Sequence, residues 1–292
     1  MDKQMNGQQF KVTESSLLLA FLLQVVDRGR NYTKAILARG QVLVDGEVET
    51  AYNYALEPGQ QVTILKQAPR TEKLNGVKIL YEDDDLIVVN KTAGLLTIAT
   101  GKDQQPTAYR ELNSYVRKKN SANRIFIVHR LDRDTSGVMV FAKNEKTKHK
   151  LQNNWKQVVE ERTYIALVEG EVKQTKGTIT SWLKETKTHQ MYVSQSTNGA
   201  KQAILHYERI QTNRQFSLLA VQLETGRKNQ IRVQLAHIGH PIVGDKKYFS
   251  KSNILGRLGL HAKVLAFTHP TTKEQLRFEA NVPDLFFQKS KG

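Results

Sequence analysis

The side chains best suited to chemistry lie in one stretch, His129 to Asn144, which reads HRLDRDTSGVMVFAKN. Apolar residues precede it at Ile125 to Val128 and return inside it at Val138 to Ala142. Two such runs predict buried strands that hold the polar loop between them at both ends. A loop fixed in this way is a common position for functional groups. This one carries imidazole, guanidinium and carboxylate groups, which serve acid–base and nucleophilic chemistry.

A structural interpretation of the loop is also open, in which its Asp, Thr and Ser side chains cap the local backbone and Gly137 forms a turn. A hydrolase triad of His129, Asp132 and Ser136 is disfavoured, because the three crowd into one short loop and the sequence has no GxSxG. Walker A, Rossmann and HExxH motifs are absent as well. We therefore expect neither a metal nor a cofactor.

Composition favours a polyanionic partner. The 292 residues include 44 Lys and Arg against 28 Asp and Glu, a net charge of +16, which attracts RNA, DNA or an acidic membrane surface. Hydrophobic residues make up 39% and charged residues 25%, as in soluble globular proteins. The sequence has no apolar run of membrane-spanning length, no secretory signal pattern and no Cys, so we expect a cytosolic protein without disulfides.

The stretch HRLDRDTSGVMVFAKN resembles the active-site motif of the RluA-type pseudouridine synthases, which isomerise chosen uridines in RNA. The similarity extends over nearly the whole chain, through ERTYIALVEG, ETGRKNQIRVQLAHIGHPIVGDKKY and LHAKVLAFTHP. Two positions depart from the family. Thr92 in KTAGL stands where Pro is usual, which predicts a softer turn. Asn229 in GRKNQIR stands where His is usual, which leaves one polar contact near the site open.

The resemblance implies a role for each matching residue. Asp132 falls on the catalytic nucleophile, Arg130 on the residue that fills the gap left by a flipped uridine, and Tyr164 on the active-site tyrosine. By the same analogy Arg232 is expected to hold the charge of Asp132 in a dry pocket, with Arg227 as the second candidate. We expect three arginines to contact RNA: Arg130, Arg133 and Arg227.

The reaction breaks the bond from ribose to uracil nitrogen, turns the base and rejoins it through carbon. It needs a nucleophile or base, a pocket that retains uracil, and exclusion of water. An ordinary aspartate carries its negative charge at neutral pH, so Asp132 can serve. Tyr164 offers a ring face for uracil and a hydroxyl that could assist removal of the carbon-5 proton. Three routes stay open for Asp132: attack on the sugar, attack on the ring, or removal of a ribose proton.

Residues 1–66 resemble the alpha-L RNA-binding module, with two short helices followed by GQVLVDGEV and a strand after Pro58-Gly59. Within GQVLVDGEV, Asp45-Gly46 predicts a hairpin turn. Lys34 and Arg39 are its candidate phosphate contacts, and a small structural cap is the alternative. The basic, Pro-containing stretch KQAPRTEKLN places an inter-domain linker at 67–75 and a catalytic domain at 76–292.

The pattern of strands joined by hairpins, with helices between them, predicts an α+β fold around a largely antiparallel sheet. We expect helices over 17–26, 34–39, 107–116 and 145–159. Ser15 or Ser16 should cap the first of them, and Thr33 the second. The last should begin after Asn144 and use Trp155 as a core residue rather than a stacking platform. Residues 184–201 are expected to form a basic exposed loop, either RNA-contacting or a simple connection.

The sequence thus predicts a cofactor-independent RNA pseudouridine synthase of the α+β class, monomeric and cytosolic, that acts on large-subunit (23S) ribosomal RNA. Transfer RNA is a possible second substrate. The alternative is an RNA-binding ribosome-assembly factor that keeps the fold and has lost turnover. Asp132, Tyr164 and Arg232 favour the enzyme, whereas Asn229 is the residue that most favours the alternative.

Overall fold

The structure, a computed structural model, describes residues 7–66, 74–99 and 105–292. The chain separates into two compact units, Met1–Lys73 and Leu74–Gly292. The linker predicted at 67–75 falls mainly on 67–73, which lie outside the described residues. Each unit has its own hydrophobic core.

The first unit packs two helices against a small sheet. Its elements are β1 (Gly7–Lys11), β2 (Ser16–Leu17), α1 (Leu18–Val25), α2 (Arg30–Ala38), β3 (Val42–Val44), β4 (Glu47–Val48), β5 (Ala55–Leu56) and β6 (Gln61–Leu65). The sheet has the strand order β1-β6-β3-β4, and β2 pairs separately with β5. Asp45 and Gly46 form the predicted tight turn between β3 and β4, both at positive φ.

Both predicted helix starts in this unit are wrong. Helix α1 begins at Leu18, and Ser16 belongs to β2 instead of capping the helix. Helix α2 begins at Arg30, so Thr33 lies inside it and donates from Oγ1 to the Gly29 carbonyl. The burial of Ile36 and Leu37 fixes the helix through tertiary packing, and local capping preferences of Ser and Thr do not override it.

The second unit is built on one large sheet. Its strands are β7 (Val77–Glu82), β8 (Leu86–Lys91), β9 (Phe126–Ile127), β10 (Ser136–Ala142), β11 (Val159–Glu169), β12 (Lys176–Glu185), β13 (Met191–Ser194), β14 (Lys201–Thr212), β15 (Phe216–Leu223), β16 (Leu260–Thr268) and β17 (Gln275–Glu279). The main path runs β13-β12-β14-β15-β11-β16-β10-β8-β7, with β17 beside β16 and β9 beside β10. Strands β10 and β16 are parallel, and the other paired strands described are antiparallel. The predicted α+β fold with a mixed, largely antiparallel sheet is confirmed.

Helices cover this sheet: α3 (Ala108–Lys119), α4 (Glu145–Asn153), α5 (Trp155–Val158), α6 (Gln230–His237), a 3-10 turn (Lys246–Tyr248) and α7 (Asp284–Ser290). Asn144 caps α4 as predicted, accepting from Thr147 N at 2.8 Å. The single helix predicted over 145–159 is wrong, because the backbone leaves helical geometry at Asn154 and a second short helix follows. The basic exposed loop predicted over 184–201 is wrong in part, because β13 lies within it and its two ends belong to β12 and β14.

The loop that carries Asp132 lies where one edge of β10 changes its paired strand from β16 to β9. Strand β9 pairs with the end of β10, at Phe141 and Ala142, whereas β16 pairs with its beginning, at Ser136 and Gly137. The loop 128–135 connects β9 to β10 and therefore lies beside the point where β16 joins. A gap between two strands on the same edge of β10 is what gives the loop room for functional side chains.

Candidate active site

A close approach of two strands fixes the end of the loop. Gly137 has φ +115, and a Cβ there would collide with the backbone of Ala262 on β16. Next to it, the buried Ser136 hydroxyl lies 2.8 Å from His261 Nδ1 and accepts a hydrogen bond from Arg257 Nη2 at 2.7 Å. A side chain at position 137 would push β16 away, so the loop geometry requires glycine here.

A buried lysine fixes the middle of the loop. Lys91 is fully buried at the end of β8, and its ammonium donates to three backbone carbonyls, those of Thr92 (2.9 Å), Leu95 (2.8 Å) and Arg133 (3.0 Å). Burial lowers the pKa of Lys91 to about 8. Gly94 N also donates to the Arg133 carbonyl at 3.0 Å. The segment after β8 thus holds the backbone immediately beyond Asp132.

Thr92 does not soften its turn. Its backbone N–H and its Oγ1 both donate to the Gly76 carbonyl, at 2.9 and 3.2 Å. A proline at this position has neither donor. The predicted loosening is therefore wrong, because threonine ties the segment to the start of β7 with two bonds.

Asp132 lies in a cleft of about 1090 Å³ and is paired with Arg232 of α6. Arg232 Nη1 donates to Asp132 Oδ2 at 2.8 Å, and its Nε and Nη2 donate to the two oxygens of Asp245 at 2.6 and 2.7 Å. Burial alone would lower the pKa of Arg232, but hydrogen bonds and charge from Asp245 and Asp132 outweigh it and raise that pKa. Arg232 is thus a fixed cation between a buried carboxylate and the carboxylate in the cleft.

Asn229 also contacts Asp132. Its Nδ2 donates to Asp132 Oδ2 at 2.6 Å, and its Oδ1 accepts from the Tyr248 hydroxyl at 3.1 Å. Its backbone is left-handed, φ 51 and ψ 24, a region in which asparagine is enriched. Although Asn229 stands where His is usual in the family, its amide therefore makes the polar contact near the site.

Tyr164 lines the same cleft from β11, together with Arg162 and His129. Burial raises the pKa of Tyr164, with the charge of Asp132 adding to the rise and that of Arg162 opposing it. His129 Nε2 accepts from Val140 N at 3.1 Å, and burial together with Arg162 lowers the pKa of His129 to about 3. The hydroxyl and the imidazole are both neutral at pH 7.

The structure separates the predicted arginines. Arg130 is exposed and lines the cleft. Arg227 lines it as well, but its Nε donates to the Gln202 carbonyl at 3.0 Å, so Arg232 and not Arg227 contacts Asp132. Arg133 is outside the cleft lining and pairs on the surface with Asp134 at 3.2 Å. Lys34 and Arg39 are exposed residues of the first unit.

Sequence reasoning missed four residues that shape this site. Asp245 and Tyr248 stand in GDKKY, inside a motif already noted, but their contacts to Arg232 and Asn229 depend on how the segment after α6 turns back. Arg162 ties β11 to the Leu223 carbonyl at 2.9 Å. Trp155 packs on the core as predicted, yet its ring also lies 4.8 Å from that of His129 and lines the cleft.

Across the described residues, no three His, Cys, Asp or Glu side chains are grouped as a metal site. None of the described helices is long and apolar enough to cross a membrane.

The RNA pseudouridylate synthase family matches residues 85–237, which include Asp132, Tyr164 and Arg232. The chain belongs to the RNA pseudouridine synthases of the RluA type. A pseudouridine synthase of Bacillus subtilis described as uncharacterized, YlyB, is 34% identical over 88% of this chain and 87% of its own length. The ribosomal large subunit pseudouridine synthase D of Vibrio cholerae is 32% identical over 88% of this chain and 85% of its own.

One solved structure supports the same assignment, and a second shows the same fold. Human RNA pseudouridylate synthase domain containing 4 matches with a TM-score of 0.60 and 25% identity over 72% of this chain and 90% of that one. Human RNA pseudouridylate synthase domain containing 1 shares the fold, with a TM-score of 0.58 over 73% of this chain. This pseudouridine synthase therefore has an RNA substrate, and the cleft around Asp132 is the candidate place where a uridine binds.

Proposed function

We propose that this pseudouridine synthase uses Asp132 as its nucleophile and acts on large-subunit ribosomal RNA. The assignment of Asp132 as nucleophile is supported by the arrangement of hydrogen-bond donors at its carboxylate. Arg232 and Asn229 both donate to Oδ2, and in the described parts of the chain no group donates to Oδ1. One oxygen is anchored, and the other remains available to a uridine in the cleft.

The neighbours of Asp132 fit the demands of the reaction. Asp132 Oδ1 bonds to the ribose or the ring, the glycosidic bond from nitrogen breaks, and the retained uracil turns and rejoins the ribose through carbon 5. The bond to Asp132 then breaks, and carbon 5 loses its proton. Arg232, itself mostly buried, stabilises the anionic carboxylate before attack and as it leaves. The cleft walls, which include Ile127, Leu131 and Leu260, limit water around the freed base.

Tyr164 fits a binding role better than that of a general base. Because burial raises its pKa, the hydroxyl stays protonated near neutral pH and cannot act as a phenolate. Its ring face and its neutral O–H are suited to contact uracil while the base turns. The removal of the carbon-5 proton then requires another acceptor, and Asp132 is the anionic group in the cleft once it has been released.

Arg130 supports base flipping. It lies three residues beyond the end of β9, is exposed, and belongs to the cleft lining beside Asp132. A cationic planar side chain in this place can enter the stack that a uridine leaves and contact the flanking phosphates.

The choice of ribosomal RNA is supported by the large-subunit synthase of Vibrio cholerae, which this chain matches over most of both lengths. The first unit adds a second argument, since Lys34 on α2 and Arg39 directly after α2 are both exposed and the net charge is +16. We assign phosphate contacts to these two residues and an RNA-binding role to the unit. Cytosolic location and a monomeric state stay predictions.

The alternative, an RNA-binding assembly factor without turnover, loses its main support. Asn229 was the residue that favoured it, and Asn229 donates directly to Asp132.

Turnover is tested by tritium release from ribosomal RNA labelled at carbon 5 of uridine, since the new bond at that carbon displaces its hydrogen. We expect release with the wild type and none above background with Asp132→Ala. Release by Asp132→Ala at the wild-type rate would overturn the nucleophile assignment.

The role of the first unit is tested by salt dependence. Lys34→Ala and Arg39→Ala should each reduce the slope of log affinity for RNA against log salt by about 1, because each removes a phosphate contact. Lys11→Ala removes an exposed lysine of the same unit and should leave the slope unchanged. Equal slopes in all four proteins would remove α2 from RNA binding and leave catalysis by Asp132 untouched.

A further inference from the structure

Asn229 lies between two functional elements of the cleft. Its amide nitrogen donates to Asp132 Oδ2, and its amide oxygen accepts from the Tyr248 hydroxyl. Tyr248 is 3% exposed, and its ring lies 5.1 Å from the guanidinium of Arg232. A chain of contacts therefore runs from a buried tyrosine through the amide to the carboxylate proposed to be the nucleophile.

Hydrogen-bond chemistry fixes which group donates in each of these two contacts. An ionised carboxylate only accepts hydrogen bonds, so the amide must turn its NH₂ group towards Asp132. The amide oxygen then faces Tyr248, which must donate its O–H. The reverse orientation would place the amide oxygen against the carboxylate oxygen and repel it. The tyrosine hydroxyl thus selects the one orientation of the amide that supports Asp132.

The backbone places this amide at the first turn of α6. Asn229 is left-handed at φ 51 and directly precedes the helix, while Arg232 lies within it. Both donors to Asp132 Oδ2 therefore come from one short segment, and both contact the same oxygen. Two donors at different angles fix the side-chain rotation of Asp132, which one flexible contact would not do.

We propose that Asn229 is a positioning residue, oriented by the Tyr248 hydroxyl, that anchors Oδ2 of Asp132 and so directs Oδ1 at the uridine. The inference rests on the proposed role of Asp132 as nucleophile. The amide makes this support independent of pH, since asparagine does not titrate. The charged or titratable groups that interact with Asp132 include Arg232, Tyr164, Tyr248 and Lys91. Arg130, Arg162 and Arg227 line the same cleft, and Asp245 acts on it through Arg232.

Asn229→Asp is the sharpest test, because aspartate has the same shape and also tolerates the left-handed backbone. As a carboxylate it cannot donate to Asp132 and repels it, whereas as a neutral acid it can donate. We expect the single-turnover rate on ribosomal RNA from cells lacking this protein to fall roughly 100-fold at pH 8, from the loss of a charge-assisted hydrogen bond and the added repulsion. The deficit should shrink towards pH 5.5, and RNA affinity should be unchanged.

Two further variants separate positioning from folding. Asn229→Gly keeps the backbone conformation and removes the amide, so its rate should fall roughly 10-fold or more at every pH. Tyr248→Phe keeps the ring and should lower the rate by a smaller factor, and combined with Asn229→Gly it should add no further loss. If Asn229→Gly does not fold, Tyr248→Phe alone tests the positioning role of Asn229. Lys273→Gly, at φ 68 in the β16–β17 turn, is the matched backbone control and should retain full activity.

The outcomes distinguish this inference from the proposed function. Wild-type rates for Asn229→Asp and Asn229→Gly across pH 5.5–8, with an active wild type, would overturn the positioning role and leave Asp132 as nucleophile. A pH-independent loss in Asn229→Asp equal to that in Asn229→Gly would also overturn it, since repulsion between carboxylates must titrate. An active Asp132→Ala variant would overturn the nucleophile and this inference with it.

Discussion

Arg232 Nη1 lies 2.8 Å from Asp132 Oδ2, although one hundred residues separate the two in sequence. The far side of the same guanidinium is held by Asp245, whose side chain is only 1% exposed. The position of the cleft carboxylate is therefore set by α6 and by the segment after it. In the proposed function, Arg232 supports catalysis through Asp132, and it supports the stability of the fold through Asp245.

Arg232→Lys should impair both roles. Lysine carries the charge but cannot bind Asp245 with two nitrogens and Asp132 with a third, so we expect the turnover rate to fall about 100-fold. The free energy of unfolding should fall by about 3 kcal/mol, because Asp245 is left buried and poorly paired. Arg277→Lys, in an exposed pair with Glu161, is the control and should leave the free energy of unfolding close to that of the wild type. Wild-type turnover in Arg232→Lys would contradict a role beside Asp132.

Tyr164→Phe should separate binding from turnover. It keeps the ring in the cleft and removes the hydroxyl that is proposed to contact uracil while the base turns. Because that contact is made after RNA binding, we expect the rate to fall roughly 10- to 100-fold while RNA affinity stays within about twofold of the wild type. Tyr207→Phe is the matched control, since Tyr207 is a buried tyrosine of the same core outside the cleft lining. Rapid-quench kinetics would show the difference, and equal rates for both variants would exclude a role for the Tyr164 hydroxyl.

His129 should make the fold sensitive to acid. Its folded pKa is about 3 against 6.5 for the ordinary group, so the unfolded chain takes up the proton first. The stabilising contribution is complete above about pH 6.5 and is lost as the pH falls from 6.5 towards 3. Between pH 7 and pH 5 the loss amounts to about 2 kcal/mol.

Urea unfolding at these two pH values checks this prediction. His129→Gln should lose less stability than the wild type between pH 7 and pH 5, because glutamine does not titrate. His149→Gln, an exposed position on α4, should behave as the wild type. Identical losses in His129→Gln and wild type would show that the imidazole is not held neutral by the fold.

Gly137→Ala should destabilise the second unit by about 3 kcal/mol or more, since a Cβ collides with the backbone of Ala262 at a φ that side chains rarely adopt. Gly94→Ala separates the two effects, because Gly94 also has positive φ but has open space around its Cβ position. It should lose only about 1 kcal/mol. Equal losses in the two variants would mean that the approach of β10 to β16 is not tight.

The sequence predicted local features well where the signal itself is local. The loop between apolar runs, the cap at Asn144 and the turn at Asp45-Gly46 follow from side-chain type and spacing, and each is present. The division of 145–159 at Asn154 was not predicted, because Leu151 and Trp155 keep helical spacing across the break. Asn154 ends α4 there, with its Nδ2 donating to the Lys150 carbonyl at 2.9 Å.

The contacts of the site could not be predicted because they join distant segments. Lys91 holds the carbonyl of Arg133 from β8, and Asp245 orients Arg232 from beyond α6. Sequence similarity gave Arg232 and Arg227 as candidates for the same role. Only the placement of α6 shows that Arg232 contacts Asp132, while Arg227 contacts the backbone of Gln202.

The most direct test maps pseudouridine in large-subunit ribosomal RNA from cells that lack this protein and from the same cells complemented with wild type or with Asp132→Ala. We expect at least one pseudouridine to disappear in the deletion strain, to return with the wild type, and to stay absent with an Asp132→Ala protein that is expressed and still binds RNA. An unchanged pseudouridine map in the deletion strain would contradict the ribosomal substrate, and restoration by Asp132→Ala would contradict the catalytic role of Asp132.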